Sequence, residues 1–210
     1  MRPRTLTVHL DDVPVATFTG TRPGRVSCAY LGAAFEMAGL TAPLLSCSLP
    51  LRRGRGAAYP FASGLLPEGV HRQVMAGIAG VPTHDVIGML ARFGRDVAGA
   101  LVITEGDLEH RPQPSVEPYD EHGLDRAVAE LSDHPLGLYD DSELSIAGLA
   151  DKMLLARTPD GGFGRPRHGA ASTHILKVDD RTRRGLVRAE HACLALARDV
   201  DLAAAHSTVL

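Results

Sequence analysis

Both lysines of this chain, Lys152 and Lys177, fall within the single stretch Ser142 to Lys177, and arginine supplies every other permanent side-chain cation. A compact ammonium, where the rest of the sequence uses planar guanidinium forks, points to a phosphate oxygen or a buried carboxylate as its partner. Ahead of Lys152 stand Ala147, Gly148 and Ala150, small residues where a strand meets a turn. Their backbone N–H groups can close on an anion as a nest does. Lys177 ends a later apolar run, Thr173 to Val178, which reads as a strand. Behind it, Arg183 to Val200 is helical in pattern, and at about 100° per residue Leu186, Cys193, Ala197 and Val200 share one face, with Glu190 in its midst. A carboxylate there needs a partner, since burying it alone is costly. Lys177 is the natural one; the alternative is that the helix rotates and Glu190 reaches solvent at the rim. A strand lysine paired with a helix glutamate, behind a glycine-containing loop, is how a protein kinase holds its nucleotide.

The elements that must position these residues begin with a hairpin. Thr5 to Leu10 and Val13 to Thr19 alternate as half-buried strands around an Asp11-Asp12 turn. Arg25 to Tyr30 and Leu44 to Leu49 read as further strands, with a short helix, Leu31 to Ala38, between them. A helix is expected from Pro67 to about Ala79, with Glu68 at its positive end and Gly80 and Pro82 as stops. A second should run from an N-cap at Thr83 through Phe93 to a left-handed Gly94. Val97 to Thr104 reads as a buried strand. Glu105 to His122, rich in acids and prolines, reads as a linker or exposed crossover. Gly123 to Ser132 returns to a helical pattern with Leu124, Val128 and Leu131 on one face; Lys152 to Arg157 is a strand, and Pro159 to Gly162 a tight reversal.

Composition narrows the function classes. Hydrophobic residues at 44% and charged residues at 22% are ordinary for a globular protein, and a net charge of -3 gives no electrostatic case for nucleic-acid binding. No run is apolar and long enough to span a membrane, and no leader stands at the start. Cys28, Cys47 and Cys193 form no Cys-x-x-Cys, and the ten histidines have no His-x-x-x-His spacing, so the residues suggest neither a disulfide framework nor a metal site. A reducing, cytoplasmic setting is the expectation. The basic run Arg52, Arg53 and Arg55 sits among glycines and could touch phosphates, but a solvated loop is the preferred account because no aromatic residues interleave with it. The Gly-x-x-x-x-Gly-Lys phosphate loop is absent, and no helix opens behind Gly162-Phe-Gly164.

The order of motifs resembles the HipA family of bacterial serine/threonine kinase toxins. The matching pieces are Ser46-Cys-Ser-Leu-Pro-Leu51, Gly64-Leu-Leu-Pro-Glu-Gly69, Phe93-Gly-Arg-Asp-Val-Ala-Gly-Ala100, Leu144-Ser-Ile-Ala-Gly-Leu-Ala-Asp-Lys152 and Ser172-Thr-His-Ile-Leu-Lys177. Each is short, but together they run in family order along nearly the whole chain. The resemblance implies an α+β fold: a HipA N-terminal subdomain over 1–104, a linker over 105–122, and an incomplete kinase-like N-lobe over 123–210. It implies that Ala147, Gly148, Leu149, Ala150, Asp151 and Lys152 bind ATP with Lys177, that Glu190 is the ion-pair partner of Lys177, and that Ser145 is the autophosphorylated loop serine. Where the family has glutamine two residues before the loop lysine, this chain has Ala150.

ATP and Mg2+ are the implied cofactors. The implied partners are a HipB-like DNA-binding antitoxin, a protein substrate such as an aminoacyl-tRNA synthetase, and a separate chain supplying the C-lobe. The family's catalytic loop and magnesium-binding aspartate would follow Lys177, and no His-x-Asp-x-x-x-x-Asn or Asp-Phe-Gly run occurs here. The expectation is therefore a kinase-type N-terminal fragment with no catalytic or metal-ligating residue of its own, inactive alone. The competing expectation is a non-catalytic module that binds a kinase or an antitoxin.

Overall fold

The computed structural model of the chain describes residues 3–22, 24–39, 42–106, 113–132, 151–179 and 184–209. Its elements form two antiparallel sheets, each backed by its own core. The first sheet grows from the opening hairpin, β1 (Arg4–Leu10) and β2 (Val13–Arg22). Asp11 and Asp12 both adopt positive φ, which gives the two-residue turn the twist the strands need. β3 (Arg25–Tyr30), β4 (Arg55–Ala57) and β5 (Leu101–Thr104) complete it in the order β4-β3-β2-β1-β5. Three of its helices are α1 (Gly32–Ala38), α2 (Tyr59–Gly64) and α3 (Gly69–Ala79), and α4 (Val86–Phe93) packs on β1, β2 and β5. Leu6, Val8 and Phe18 from the strands meet Met75, Met89, Leu90 and Phe93 from the helices, all fully buried, and burial on this scale is the main force holding the unit together.

The second sheet has the order β6-β8-β7-β9, formed by β6 (Ser115–Pro118), β7 (Lys152–Arg157), β8 (Phe163–Arg167) and β9 (His174–Lys177). Met153 and Leu155, alternate residues of β7, pack with Ala127 of α5 (Gly123–Ala129) and with Leu131 in the 3-10 turn that follows. Leu124 and Val128 join this core, as their helical spacing requires. The last element, α6 (Leu186–Asp199), buries none of its residues. Among the described residues no helix is long and apolar enough to cross a membrane.

Several expectations are corrected. Residues 44–49 form turns rather than a strand: Leu49 N–H bonds Ser46 O, and the Leu49 carbonyl accepts from the Tyr30 hydroxyl at 2.6 Å, so no ladder partner is left to find. The span 105–122 is not all linker, since Ser115–Pro118 is an edge strand paired with β8. An edge strand with one partner leaves three of its four side chains exposed here, and so its sequence looks like a linker. β8 also escaped the pattern, because Pro166 faces only the β6 side of the ladder. The strand expected from Val97 starts at Leu101; Gly99 and Ala100 take positive φ and fold Val97 back onto Leu101. Pro67 precedes its helix, and Glu68 occupies the N-cap position.

The α4 N-cap is Asp85, not Thr83: its Oδ1 accepts from Gly88 N–H at 2.9 Å. Asp85→Ala should therefore cost about 1 kcal/mol and Thr83→Ala a few tenths, read as a urea midpoint shift. Equal shifts would place the cap elsewhere.

Candidate functional site

β7 and β9 pair with Lys152 directly opposite Lys177. Opposite residues in an antiparallel ladder project on one face with Cβ atoms about 5 Å apart, so the two ammoniums are neighbours. Alternation assigns that face. Met153 and Leu155 turn to the α5 core, which sends Lys152 and Leu154 to the other side. Lys152 is only 5% exposed, and Lys177 is about one-third exposed.

Lys177 Nζ donates to Glu190 Oε1 at 2.5 Å, so strand and helix are joined by the pair expected from the sequence. The helix face is another matter. Leu186, Cys193 and Val200 of the expected buried stripe are exposed, and the better-covered side carries Val187, His191, Leu194 and Arg198. Polar contacts set this rotation rather than apolar burial. Asp179, just past β9, accepts from Gly185 N–H at 2.7 Å and Val187 N–H at 3.0 Å, which caps the first turn of α6. Those bonds to the charged form hold the Asp179 carboxyl below the usual aspartate range. Glu190 then reaches Lys177 from an exposed position, and His191 Nδ1 meets Ser207 Oγ at 2.9 Å. Sequence reading missed Asp179; an aspartate between a strand and a glycine-led helix was the available signal.

Burial pushes the Lys152 ammonium below the ordinary lysine value; neighbouring Lys177 lowers it further and Glu190 partly offsets both. A second carboxylate, Asp151, is engaged elsewhere, with its Oδ1 3.2 Å from His71 Nε2 on α3. Like charges set opposite each other in a ladder are unfavourable, and an anion on that face relieves the repulsion. Because the folded-state pKa of Lys152 is depressed, the penalty is complete below that pKa and is relieved as pH rises through it toward the unfolded lysine value. Lys152→Met should therefore stabilise the chain by about 1 kcal/mol at neutral pH, with a smaller gain near pH ~10. Urea unfolding at the two pH values measures both, and a destabilised variant at neutral pH would count against the assignment.

Ser145 and the loop residues Ala147, Gly148, Leu149 and Ala150 lie outside the described residues. Of the expected set, Asp151, Lys152, Lys177 and Glu190 are brought to one end of the β7–β9 pair. Arg53 and Arg55 are not part of it. They line a surface cleft on the first sheet with Cys28, Tyr30, Ser48 and Leu49.

Residues 6–104 match the family model described as the HipA N-terminal domain. Two curated proteins of Sinorhizobium fredii (strain NBRC 101917 / NGR234) are similar. One is "Putative kinase Y4mE", 38% identical over 186 residues, covering 84% of this chain and 44% of the relative. The other is "Putative kinase Y4dM", 29% identical over 204 residues, covering 92% and 46% respectively. Among solved structures, a chain of the Shewanella oneidensis MR-1 complex of HipA, HipB and operator DNA aligns with a TM-score of 0.67 at 23% identity, over 93% of this chain and 45% of that one. At that identity the likeness is one of fold, and the mixed α+β architecture agrees with it. The chain spans about half the length of the curated relatives it matches. With kinase-named relatives along most of its length, this chain is HipA-like, and its residues 6–104 belong to the HipA N-terminal domain family.

Proposed function

We propose that this chain is the phosphate-holding part of a HipA-type serine/threonine kinase toxin of a toxin–antitoxin module. The observation that carries this is the pairing of Lys152 with Lys177 on one sheet face, with Glu190 fixing the second ammonium at 2.5 Å. The residues fit a nucleotide's phosphates: two ammoniums project on one sheet face, where each can donate charge-assisted hydrogen bonds to phosphate oxygens. Lys177 donates to a phosphate oxygen and Glu190 orients it. Lys152 adds charge from a desolvated position, where each interaction is stronger than in water. Ala147 to Ala150 are the proposed further contacts to the same phosphates, and Ser145 the proposed site of autophosphorylation.

Among the described residues no three His, Cys, Asp or Glu side chains gather to hold a metal. Magnesium would be carried at least in part by the nucleotide's own oxygens. Phosphoryl transfer by the 210-residue chain alone is not expected. A HipB-like antitoxin is the proposed partner and the cytoplasm the proposed compartment; the HipA–HipB–DNA assembly of the Shewanella oneidensis neighbour supports the former. A second reading, a non-catalytic module that docks on a kinase or antitoxin chain, is favoured by the apolar side chains that α6 leaves open, Leu186 and Leu196 with Val200 and Leu202 beyond.

Calorimetric titration of the chain with MgATP, on wild type and on Lys152→Ala and Lys177→Ala, separates the two. Binding lost in both variants supports the phosphate site. No binding by a folded wild-type chain leaves the docking module.

A further inference from the structure

Two motifs of the first hundred residues have no role in the phosphate site as described, yet each leads to a side chain that grips it. Gly64-Leu-Leu-Pro-Glu-Gly69 opens α3, and two residues past its end stands His71, only 6% exposed. Its Nε2 lies 3.2 Å from Asp151 Oδ1, and with the proton on that nitrogen the imidazole donates to the carboxylate. Asp151 is the residue before Lys152, and its carbonyl accepts from Val178 N–H at 3.0 Å, next to Lys177. Phe93-Gly-Arg-Asp-Val-Ala-Gly-Ala100 supplies Asp96, whose Oδ2 accepts from Ser172 N–H at 3.0 Å. Ser172 leads into β9; the next residue, Thr173, donates its N–H to Leu155 O at 2.8 Å. Burial raises the Asp96 carboxyl, and the bonds from Ser172 counter it.

The N-terminal domain therefore touches the β7–β9 ribbon at both ends. His71 holds the end that bears the lysines, and Asp96 holds the far end where β9 begins. β9 is an edge strand that pairs with β7 alone, and two anchors outside the sheet fix its position and that of Asp151.

We propose that His71 and Asp96 are positioning residues: by clamping the two ends of the β7–β9 ribbon, the N-terminal domain sets the placement of Lys152 and Lys177 and so the affinity for phosphate. This rests on the phosphate-site reading above, and it assigns the domain a part in ligand binding rather than in attachment alone.

The test uses the whole chain and two readouts: MgATP affinity, and amide hydrogen exchange along 151–157 and 172–177. His71→Ala and Asp96→Ala should each weaken MgATP about five-fold, the equivalent of one lost hydrogen bond. Exchange should quicken in those two segments while β1 to β5 stay protected. His71→Gln, which returns a donor near the Nε2 position, and Asp96→Asn, which keeps an acceptor oxygen, should restore affinity to within about two-fold. Alanine variants that leave exchange in 151–157 and 172–177 unchanged overturn the clamp. So does exchange that quickens equally through the first sheet, since that is general destabilisation. If wild type binds no MgATP the phosphate-site reading falls, and the exchange pattern alone still decides whether the clamp exists.

Discussion

Lys177→Ala is expected to weaken MgATP binding about 30-fold while leaving the unfolding midpoint nearly unchanged. A charge-assisted hydrogen bond to phosphate contributes about 1.5–3 kcal/mol, which is roughly ten- to a hundred-fold in affinity. The stability side is different because the Lys177–Glu190 pair is 33% and 46% exposed, and pairs of that kind contribute at most about 1 kcal/mol. Glu190→Gln keeps a hydrogen-bond acceptor but gives up the charge, so it should cost only a few-fold. Lys177→Arg should not rescue the site, because a planar fork cannot occupy the place of an ammonium held by one carboxylate oxygen. Isothermal titration and urea unfolding on the same samples give both numbers. An affinity unchanged in Lys177→Ala would remove this lysine from the site and, with it, the main support for the kinase-type reading.

Gly94→Ala is expected to destabilise the chain by about 3 kcal/mol, at the upper end of overpacking changes, or about 10 °C in Tm for a chain of this size. The reason is crowding. Gly94 has φ -83°, a value any residue accepts, so no left-handed conformation calls for glycine here. A Cβ at this position would instead press against the Leu90 carbonyl oxygen and fall 2.6 Å from the Ile103 carbonyl oxygen and 2.8 Å from Ile103 Cβ. Both oxygens belong to backbone, and the Gly94 carbonyl itself accepts from Ile103 N–H at 2.7 Å, so neither α4 nor β5 can step aside. Gly80 is the control. It has the left-handed φ of 64° that closes a helix, with open space around it, so Gly80→Ala should cost only about 1 kcal/mol. Thermal scans of the two variants decide the matter, and a Gly94→Ala chain no less stable than Gly80→Ala would refute the close approach.

The contrast between those two glycines shows where sequence reading reaches its limit. Gly80 was legible because a helical pattern followed by glycine and then proline describes a local event. Gly94 looked the same, but its requirement comes from β5 crossing the end of α4, a contact between residues distant in pattern if not in number. The opening hairpin, β3, α1, α5 and β7 were likewise readable, because alternation or helical spacing of apolar residues encodes which face is buried. β6 and β8 were not. One is an exposed edge and the other carries Pro166, so neither has the signature of a half-buried strand.

For the candidate site, the sequence by itself supplied the residues on which the proposal rests: two lysines in an arginine-rich chain, small residues before the first, and a glutamate on the helix after the second. The Lys177–Glu190 link could be anticipated because strand and helix are consecutive in the chain, and a charge on a helix needs a neighbour. Only the tertiary structure decided that Lys152 stands opposite Lys177, since register is a property of paired strands rather than of either one. It also turned α6 so that Asp179 and Glu190 hold the helix by polar contacts while Leu186 and Val200 face outward. Finally, it brought His71 and Asp96 across from the first domain to Asp151 and Ser172. Each of those contacts spans more than seventy positions, and no local pattern of apolar spacing, capping or turn chemistry encodes a meeting at that separation.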